Sequence, residues 1–534
     1  MSRERKVKDD RRKKGLSIAI VLGLVFAIIY FYIALPPINL YSFEFYVALT
    51  IIIAVMALLV VIFHNRSFKN FLQTGKIFGL ILIVAWGIYI LMNIISLPIF
   101  HAKAYSNILG LEQGVFKEEV SQVDFDKIPV VDRDTAVKLG SRKMGEMGDL
   151  VSQYNIDGSY TQITVNGKPL RNTPLVYSGL IKWFQNKSNG IPYYISVDMV
   201  DQNVNMIKLE KPIRYSFSDK FSRDINRRIR FKYPTAIIDE INFEVDDNNR
   251  PYWVASTVKP SVGLIGGFDS NSVIVVDAVT GETNRYNVGE VPDWVDRVYS
   301  ANLLMRQLNW NGKLKRGFIN QYIGQKGVTQ PTDGYNYMSI DNDIYMYTGI
   351  TSVLQDESNI GFALINLRTK EAKFYPVSSA DEKSAMESAE GAVQEKGYTA
   401  TFPILINLYN RPTYFLSLKD NAGLIKTFAF IDAQNYQTVA TGQTVQQALN
   451  SYDNSSTAKE TDPEDLVEKT ITISQIIPVT VDGNTNYFIM EKESDIIYIA
   501  PISASNRLPF IEEGEVIKIK GEDLGKQFNI VNLE

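Results

Sequence analysis

Cysteine is absent from all 534 residues, and histidine occurs only twice, at His64 and His101. The first absence removes disulfides, thiolate metal sites and cysteine nucleophiles together. The second removes a Ser-His or zinc-type centre from the main body of the chain. There is no P-loop, no Gly-x-Ser-x-Gly elbow and no metal-ligand box, so no cofactor, no metal and no catalytic residue is expected. Charge is missing from long stretches: residues 15–43, 45–65 and 77–102 carry no charged side chain. A content of 45% hydrophobic and 21% charged residues excludes a disordered chain, a collagen and a disulfide-stapled mini-domain. At roughly 100–200 residues per domain there is room for three or four units.

The uncharged runs predict membrane-spanning helices near 15–35, 44–64 and 77–98. About 20 apolar residues, rising 1.5 Å each, cross a hydrocarbon core of about 30 Å. Residues 1–14 hold eight basic and three acidic side chains, a net +5, so the other 520 residues carry −9 to reach the total of −4. Arg66, Lys69 and Lys76 sit in the second connector, whereas the first, 36–43, has no basic residue. Basic segments stay cytoplasmic, which places the N-terminus inside and everything after residue 100 outside. A cleaved signal peptide is the rival reading of the first run. The run is long for that role, lacks a small-x-small cleavage site and is followed by two more spans. With Glu44 at an interface and no charge within the spans, the helices read as an anchor rather than a channel.

After residue 100 the chain turns to short, aromatic, alternating runs separated by turn residues, the pattern of antiparallel strands. The segment Asn249-Arg250-Pro251-Tyr252-Trp253 is echoed 161 residues later by Asn410-Arg411-Pro412-Thr413-Tyr414. Each is followed by an apolar strand ending in Asp-Ala, 273–283 and 428–438, and 363–377 repeats the strand-turn-strand of 274–288 with Asn366 at Asp277 and Thr369 at Thr280. A weaker relative lies at 190–209. Helices are predicted over 132–147, 217–234, 293–310 and 379–396, the last opening with a Ser379-x-x-Glu382 capping box.

This order, with Asp277-Ala278-Val279-Thr280-Gly281-Glu282-Thr283 as its best-matching turn, resembles the PepSY domain, over 215–290 and 378–445 and more faintly over 128–210. The resemblance implies an envelope protein, membrane-anchored or secreted, of the kind that binds or restrains peptidases. A Gly-rich insertion at 263–267 and the loss of Gly-Glu from the later copy depart from the pattern. The expected class is α+β: a basic tail and three transmembrane helices (1–100), a first α+β module (101–212), a second with an extension (213–377), a third (378–445), a linker (446–467) and a small OB- or SH3-like β-barrel (468–534).

Candidate chemistry is sparse. Ser256-x-x-Lys259 and Ser456-x-x-Lys459 have the spacing of a Ser/Lys pair, but one falls in a strand and the other in the linker. Asp246-Asp247 and Asp341-Asn342-Asp343 lack the spaced ligand ladder of a calcium loop and read as turns. Arg223, Arg227 and Arg230 share a helical face at i, i+4 and i+7, which suits anionic headgroups or wall polymers, or a solvated face balanced by Asp219, Asp224 and Glu240. With Arg250, Trp253, Arg411 and Tyr414 on the repeated strands, these make the candidate binding surface. The expected role is non-enzymatic: an anchored extracytoplasmic binding or scaffolding protein that meets the lipid bilayer and an envelope protein or peptide, and no nucleic acid. The alternatives are a structural subunit of a secretion- or conjugation-type membrane assembly and a carboxylate-only hydrolase.

Overall fold

The computed structural model describes residues 2–63, 68–122, 125–340, 342–353, 355–454, 466–481, 484–492, 494, 496–501, 504–505, 507–523, 525 and 527–533. Three N-terminal helices are long and apolar enough to cross a membrane, at Lys13–Ala34, Phe43–Phe63 and Gly75–Ile95. Tyr46 lies against Tyr89 at 4.5 Å with the rings tilted, and Trp86 donates to Thr50 Oγ1 at 2.9 Å, which packs the second span on the third. Pro98 does not end the chain's helical run. It opens a further helix, Pro98–Ser106, whose first turn tolerates its missing N–H.

The rest is mixed α/β with four mainly antiparallel sheets and a barrel. Strands from 154 to 213 form the first sheet and 237 to 287 the second, a four-stranded meander. The third, from 329 to 380, also takes in Leu111–Gln113, parallel to 372–374. The fourth runs from 399 to 442. These sheets share cores rather than holding one each: Tyr194 of the first, Trp253 of the second and Phe415 and Phe430 of the fourth belong to one apolar cluster. The last five strands close a barrel in the order 467–481, 484–491, 497–501, 527–533 and 516–523, around its own core of Ile489, Tyr498 and Phe528.

Several elements differ from the sequence pattern for local reasons. Residues 446–454, expected as linker, belong to the helix Val445–Asn454, whose Ala448, Leu449 and Tyr452 are buried. The apolar positions 445, 448, 449 and 452 follow the i, i+3, i+4, i+7 rule within a polar stretch. Residues 455–465, with Ser456 and Lys459, lie outside the described residues. The 293–310 helix begins only at Ala301, where Ser300 Oγ accepts the Leu303 amide at 3.1 Å. Within 217–234 only Ile225–Lys232 is helical, capped by Asp224 and preceded by a 3-10 turn over Phe221–Arg223. Ser379 is in a strand, so its capping box does not form; Asp381 caps the helix Glu382–Ala392 by accepting from the Ser384 amide at 2.8 Å.

The part after residue 100 is fastened to the ends of the candidate spans. Arg227 Nε donates to the Tyr32 carbonyl at 3.2 Å and Arg230 Nε to the Leu35 carbonyl at 3.0 Å. A helix leaves its last carbonyls without partners, and guanidinium groups supply them here. Ile38 N donates to Pro234 O and Asn39 Nδ2 to Thr235 O, both at 2.8 Å. At the third span Ser96 Oγ accepts from the amides of Leu264 and Ile265 at 2.9 Å, so the Gly-rich insertion is the hairpin tip that meets the membrane helix.

Candidate functional site

The seven surface candidates do not converge. Trp253 is buried, its indole donating to Tyr215 O at 2.8 Å, and Tyr414 is buried with its hydroxyl donating to Ala380 O at 2.8 Å. Both are core residues and present nothing to a partner. Arg223 leaves the shared face and donates to Lys187 O at 2.7 Å, while Arg227 and Arg230 cap the first span. Asp224 is a helix cap and buried Asp219 accepts from Trp183 at 3.1 Å, so neither balances a solvated basic face.

Arg250 and Arg411 have a structural task. Arg250 pairs with Asp277 and Arg411 with Asp432, at 3.6 Å in the second case. The surrounding bonds match one for one. Asp277 Oδ1 accepts from the amides of Val279 and Thr280, and Asp432 Oδ1 from those of Gln434 and Asn435, all at 2.8 Å. Ala278 N donates to Pro251 O at 3.0 Å and Ala433 N to Pro412 O at 3.1 Å. Asn366 reproduces the turn, accepting from Arg368 and Thr369 at 2.8 and 3.0 Å. The Ser256 hydroxyl donates to Arg297 O at 2.8 Å from within a strand, and Asp246 organises a turn by accepting from the Asn248 and Arg250 amides at 2.9 Å, as its sequence suggests.

A site that the sequence does not reveal lies where three sheets meet the N-terminus of the Arg133–Gly145 helix. It is a polar pocket of about 320 Å³ with Arg171 and Arg297 in its wall. Arg171 occupies the inward face of Lys168–Tyr177 with Leu175 and Tyr177. Arg297 precedes the Ala301–Leu314 helix, and Glu240 and Asn242 come from one face of Ile237–Val245. Both arginines are about 95% buried, at 6% and 5% exposure. Arg171 donates to Val131 O at 3.1 Å and Gln162 Oε1 at 3.2 Å; Arg297 reaches Gln162 O at 3.3 Å and lies over the Tyr337 ring at 4.1 Å. Among the described residues no carboxylate lies within 4.0 Å of either guanidinium. Burial, with Arg297 as a second cation nearby, pushes the Arg171 pKa down to about 10.

The lining also offers Asp132, Asp134 and Glu240. Asp132 is already taken by Lys419 at 2.6 Å, and Asp134 and Arg133 are exposed at the outer side. Burial disfavours the Arg297 cation, but Tyr337, Glu240 and Glu244 outweigh it and raise its pKa, so the wall carries both signs and Arg171 is the cation left strained. Asn242 Nδ2 and Gln162 Nε2 are buried without a hydrogen-bond partner among the described residues. Buried polar atoms are nearly always paired; of these two residues only Asn242 lines the pocket. Behind Arg297, buried Asp296 and Glu244 are joined by the Asp296 amide donating to Glu244 Oε2 at 2.9 Å. Burial raises both: Glu244 to about 7, and Asp296, with Glu244 beside it, well above the usual carboxylate range.

Arg171 left a faint signal, a cation at an apolar-facing position of an alternating strand. Arg297 and the Glu240/Asn242 face left none, because the neighbours of Arg297 come from other elements, from Tyr337, 40 residues on, to Gln162, 135 residues back. No protein-family profile and no curated protein sequence matches the chain. A mutant levansucrase from Bacillus subtilis, seen in a crystal structure, aligns over 80% of this chain and 96% of its own at 10% identity, with a TM-score of 0.17. So low a score carries no argument about fold or activity.

Proposed function

We propose that this chain is a non-enzymatic, membrane-anchored binding protein that recognises the free carboxylate of a peptide in the Arg171/Arg297 pocket. The carrying observation is two buried guanidinium groups beside an open cavity, with no carboxylate within 4.0 Å of either among the described residues. Arginine forks carboxylates bidentately, and an anion there would relieve the burial and the Arg297 repulsion that lower the Arg171 pKa. Three basic and three acidic residues line the pocket overall, which suits a zwitterionic ligand better than a multiply charged anion. Tyr335, Tyr337 and Phe402 add aromatic wall for a side chain or peptide plane.

In this reading the basic N-terminus is cytoplasmic and the bulk after residue 100 extracytoplasmic. The matched Arg-Asp and Asp-Ala bonds support degenerate PepSY-like copies, and with them a peptidase or wall-assembly protein as the source of the peptide. The carboxylate-only hydrolase gains nothing from Glu244 and Asp296, which are sealed from solvent.

Calorimetric titration of the full chain in lipid nanodiscs tests the assignment, with trialanine, its C-terminal amide and inorganic phosphate as probes. Trialanine is expected to bind at least tenfold more tightly than the amide, and Arg171→Met to abolish the difference. Equal binding of acid and amide, or preference for phosphate, would overturn the assignment.

A further inference from the structure

The spans are not the only parts built to meet lipid. Two exposed apolar lobes of the outer domain flank the span ends. The first is the helix Leu180–Asn186 with Phe221: Ile181 is 73% exposed and Phe184 and Phe221 65% each. Phe221 lies against Trp183 at 6.0 Å. Arg227 ties this lobe to the first span, donating to Phe221 O at 2.9 Å while its Nε bonds the Tyr32 carbonyl. Next along the same helix, exposed Phe231 packs edge-on against Phe31 at 5.6 Å.

The second lobe follows the Ala301–Leu314 helix. There Ile323 is 82% exposed and Tyr322 68%. Phe318 anchors the lobe, edge-on to Tyr322 at 5.4 Å and, with Ala102, Ile108 and Trp310, packed on Tyr105, Val262 and Leu314. Ala102 belongs to the helix Pro98–Ser106, which follows the third span's helix after a break at extended Leu97 and lies seven residues past Ile95. Asn311 Nδ2 fixes the arrangement by donating to Ser106 O at 2.8 Å.

Charge agrees at both places. Residues 298–332 contain five Lys/Arg and no acidic residue, and 178–197 contain Lys182 and Lys187 and none. This in a chain whose overall net charge is −4. Lys187 stands over the Phe184 ring at 4.1 Å, its amine beside an aromatic face. Large exposed apolar side chains in basic segments tied to the candidate membrane helices have the composition of interfacial lipid-binding surfaces.

We propose that Ile181, Phe184 and Phe221 on one side and Tyr322 and Ile323 on the other insert into the anionic interface of the leaflet that the outer domain faces. The domain thus lies on the membrane, held by two lobes as well as its helices. Neither the pocket nor its ligand enters the argument.

The absence of native cysteine makes the test direct. Single variants Phe184→Cys and Ile323→Cys of the full chain carry a bimane label in vesicles of phosphatidylglycerol and phosphatidylcholine, with or without brominated acyl chains. Leu91→Cys, on the lipid-exposed face of the third span, sets full quenching, and Tyr436→Cys, on an exposed turn, sets the aqueous baseline. Both lobe sites are expected to show at least half the quenching of Leu91→Cys. Quenching at the Tyr436→Cys level at either lobe would overturn the proposal and leave that surface to a protein.

Discussion

Replacing Arg171 with methionine keeps the volume and removes the charge, and the structure sets the expected size of the effect. Burial and the neighbouring Arg297 lower the Arg171 pKa from 12.5 to about 10. At 1.36 kcal/mol per unit, holding this cation in the empty pocket costs about 3 kcal/mol at neutral pH. Its removal recovers that amount. Against it stand the acceptors left behind, Val131 O at 3.1 Å and Gln162 Oε1 at 3.2 Å, at roughly 1–3 kcal/mol each. The two sides nearly cancel, from about 1 kcal/mol gained to about 3 kcal/mol lost. An arginine in a buried structural ion pair behaves differently, leaving an uncompensated partner at a cost of roughly 3–5 kcal/mol. In thermal unfolding of the full chain in nanodiscs, followed by tryptophan fluorescence, Arg171→Met is expected to melt within about 10 °C of the parent without ligand. A peptide acid at 100 times its Kd stabilises the parent by about 2.7 kcal/mol and should leave the variant unmoved. A variant that melts far below the parent yet still gains stability from the peptide would refute the reasoning, since Arg171 would then be structural.

How much of this could be read from the sequence depends on the range of the interactions. The spans were legible because a bilayer demands an uncharged run of fixed length, and the barrel because short strands separated by turns run to the C-terminus. The Asp277 and Asp432 turns were visible because an Asp that caps its own turn uses only residues two and three further on. The same locality misled elsewhere. Arg223, Arg227 and Arg230 have helical spacing, yet Asp224 starts the helix after Arg223, and two of the three side chains end on carbonyls 195 residues earlier in the chain. Trp253 and Tyr414 sit on the repeated strands as candidate surface residues, yet the assembled core buries both. Helix Val445–Asn454 carries four apolar anchors in a polar stretch, too few for composition but enough for packing. The pocket was beyond reach, since Arg171, Asn242, Arg297 and Tyr335 meet only when the sheets assemble.

Three further outcomes follow from single side chains. Glu244 and Asp296 have folded-state pKa values above their unfolded ones, so the stability linked to them is complete below about pH 4 and declines as pH rises through about 7. The melting temperature should therefore be higher at pH 6 than at pH 8, and Glu244→Gln should flatten that slope; a steeper one would reverse the assignment. Gly140→Ala, which usually gains about 0.5–1 kcal/mol inside a helix, should instead destabilise, because the new Cβ would stand 1.8 Å from Tyr160 Oη in the pocket wall. An unchanged melting temperature would show that Tyr160 is free to move. Arg230→Met strips donors from the carbonyls of Leu35, Pro234 and Ala236, so amide exchange in 225–236 should rise at least tenfold. Its effect on the pocket is a sharper question, since strand Ile237–Val245 starts at this seam and carries Asn242 to the pocket, seven residues from Thr235 or about 23 Å at 3.3 Å per residue. That strand is held in register by Pro251–Val262, with Phe243 opposite Trp253. Those pairs do not depend on Arg230, so loosening the seam should leave peptide affinity within twofold of the parent in the same nanodisc titration. A tenfold loss would mean that the strand shifts as one body, and that the membrane helices and the pocket are coupled through it.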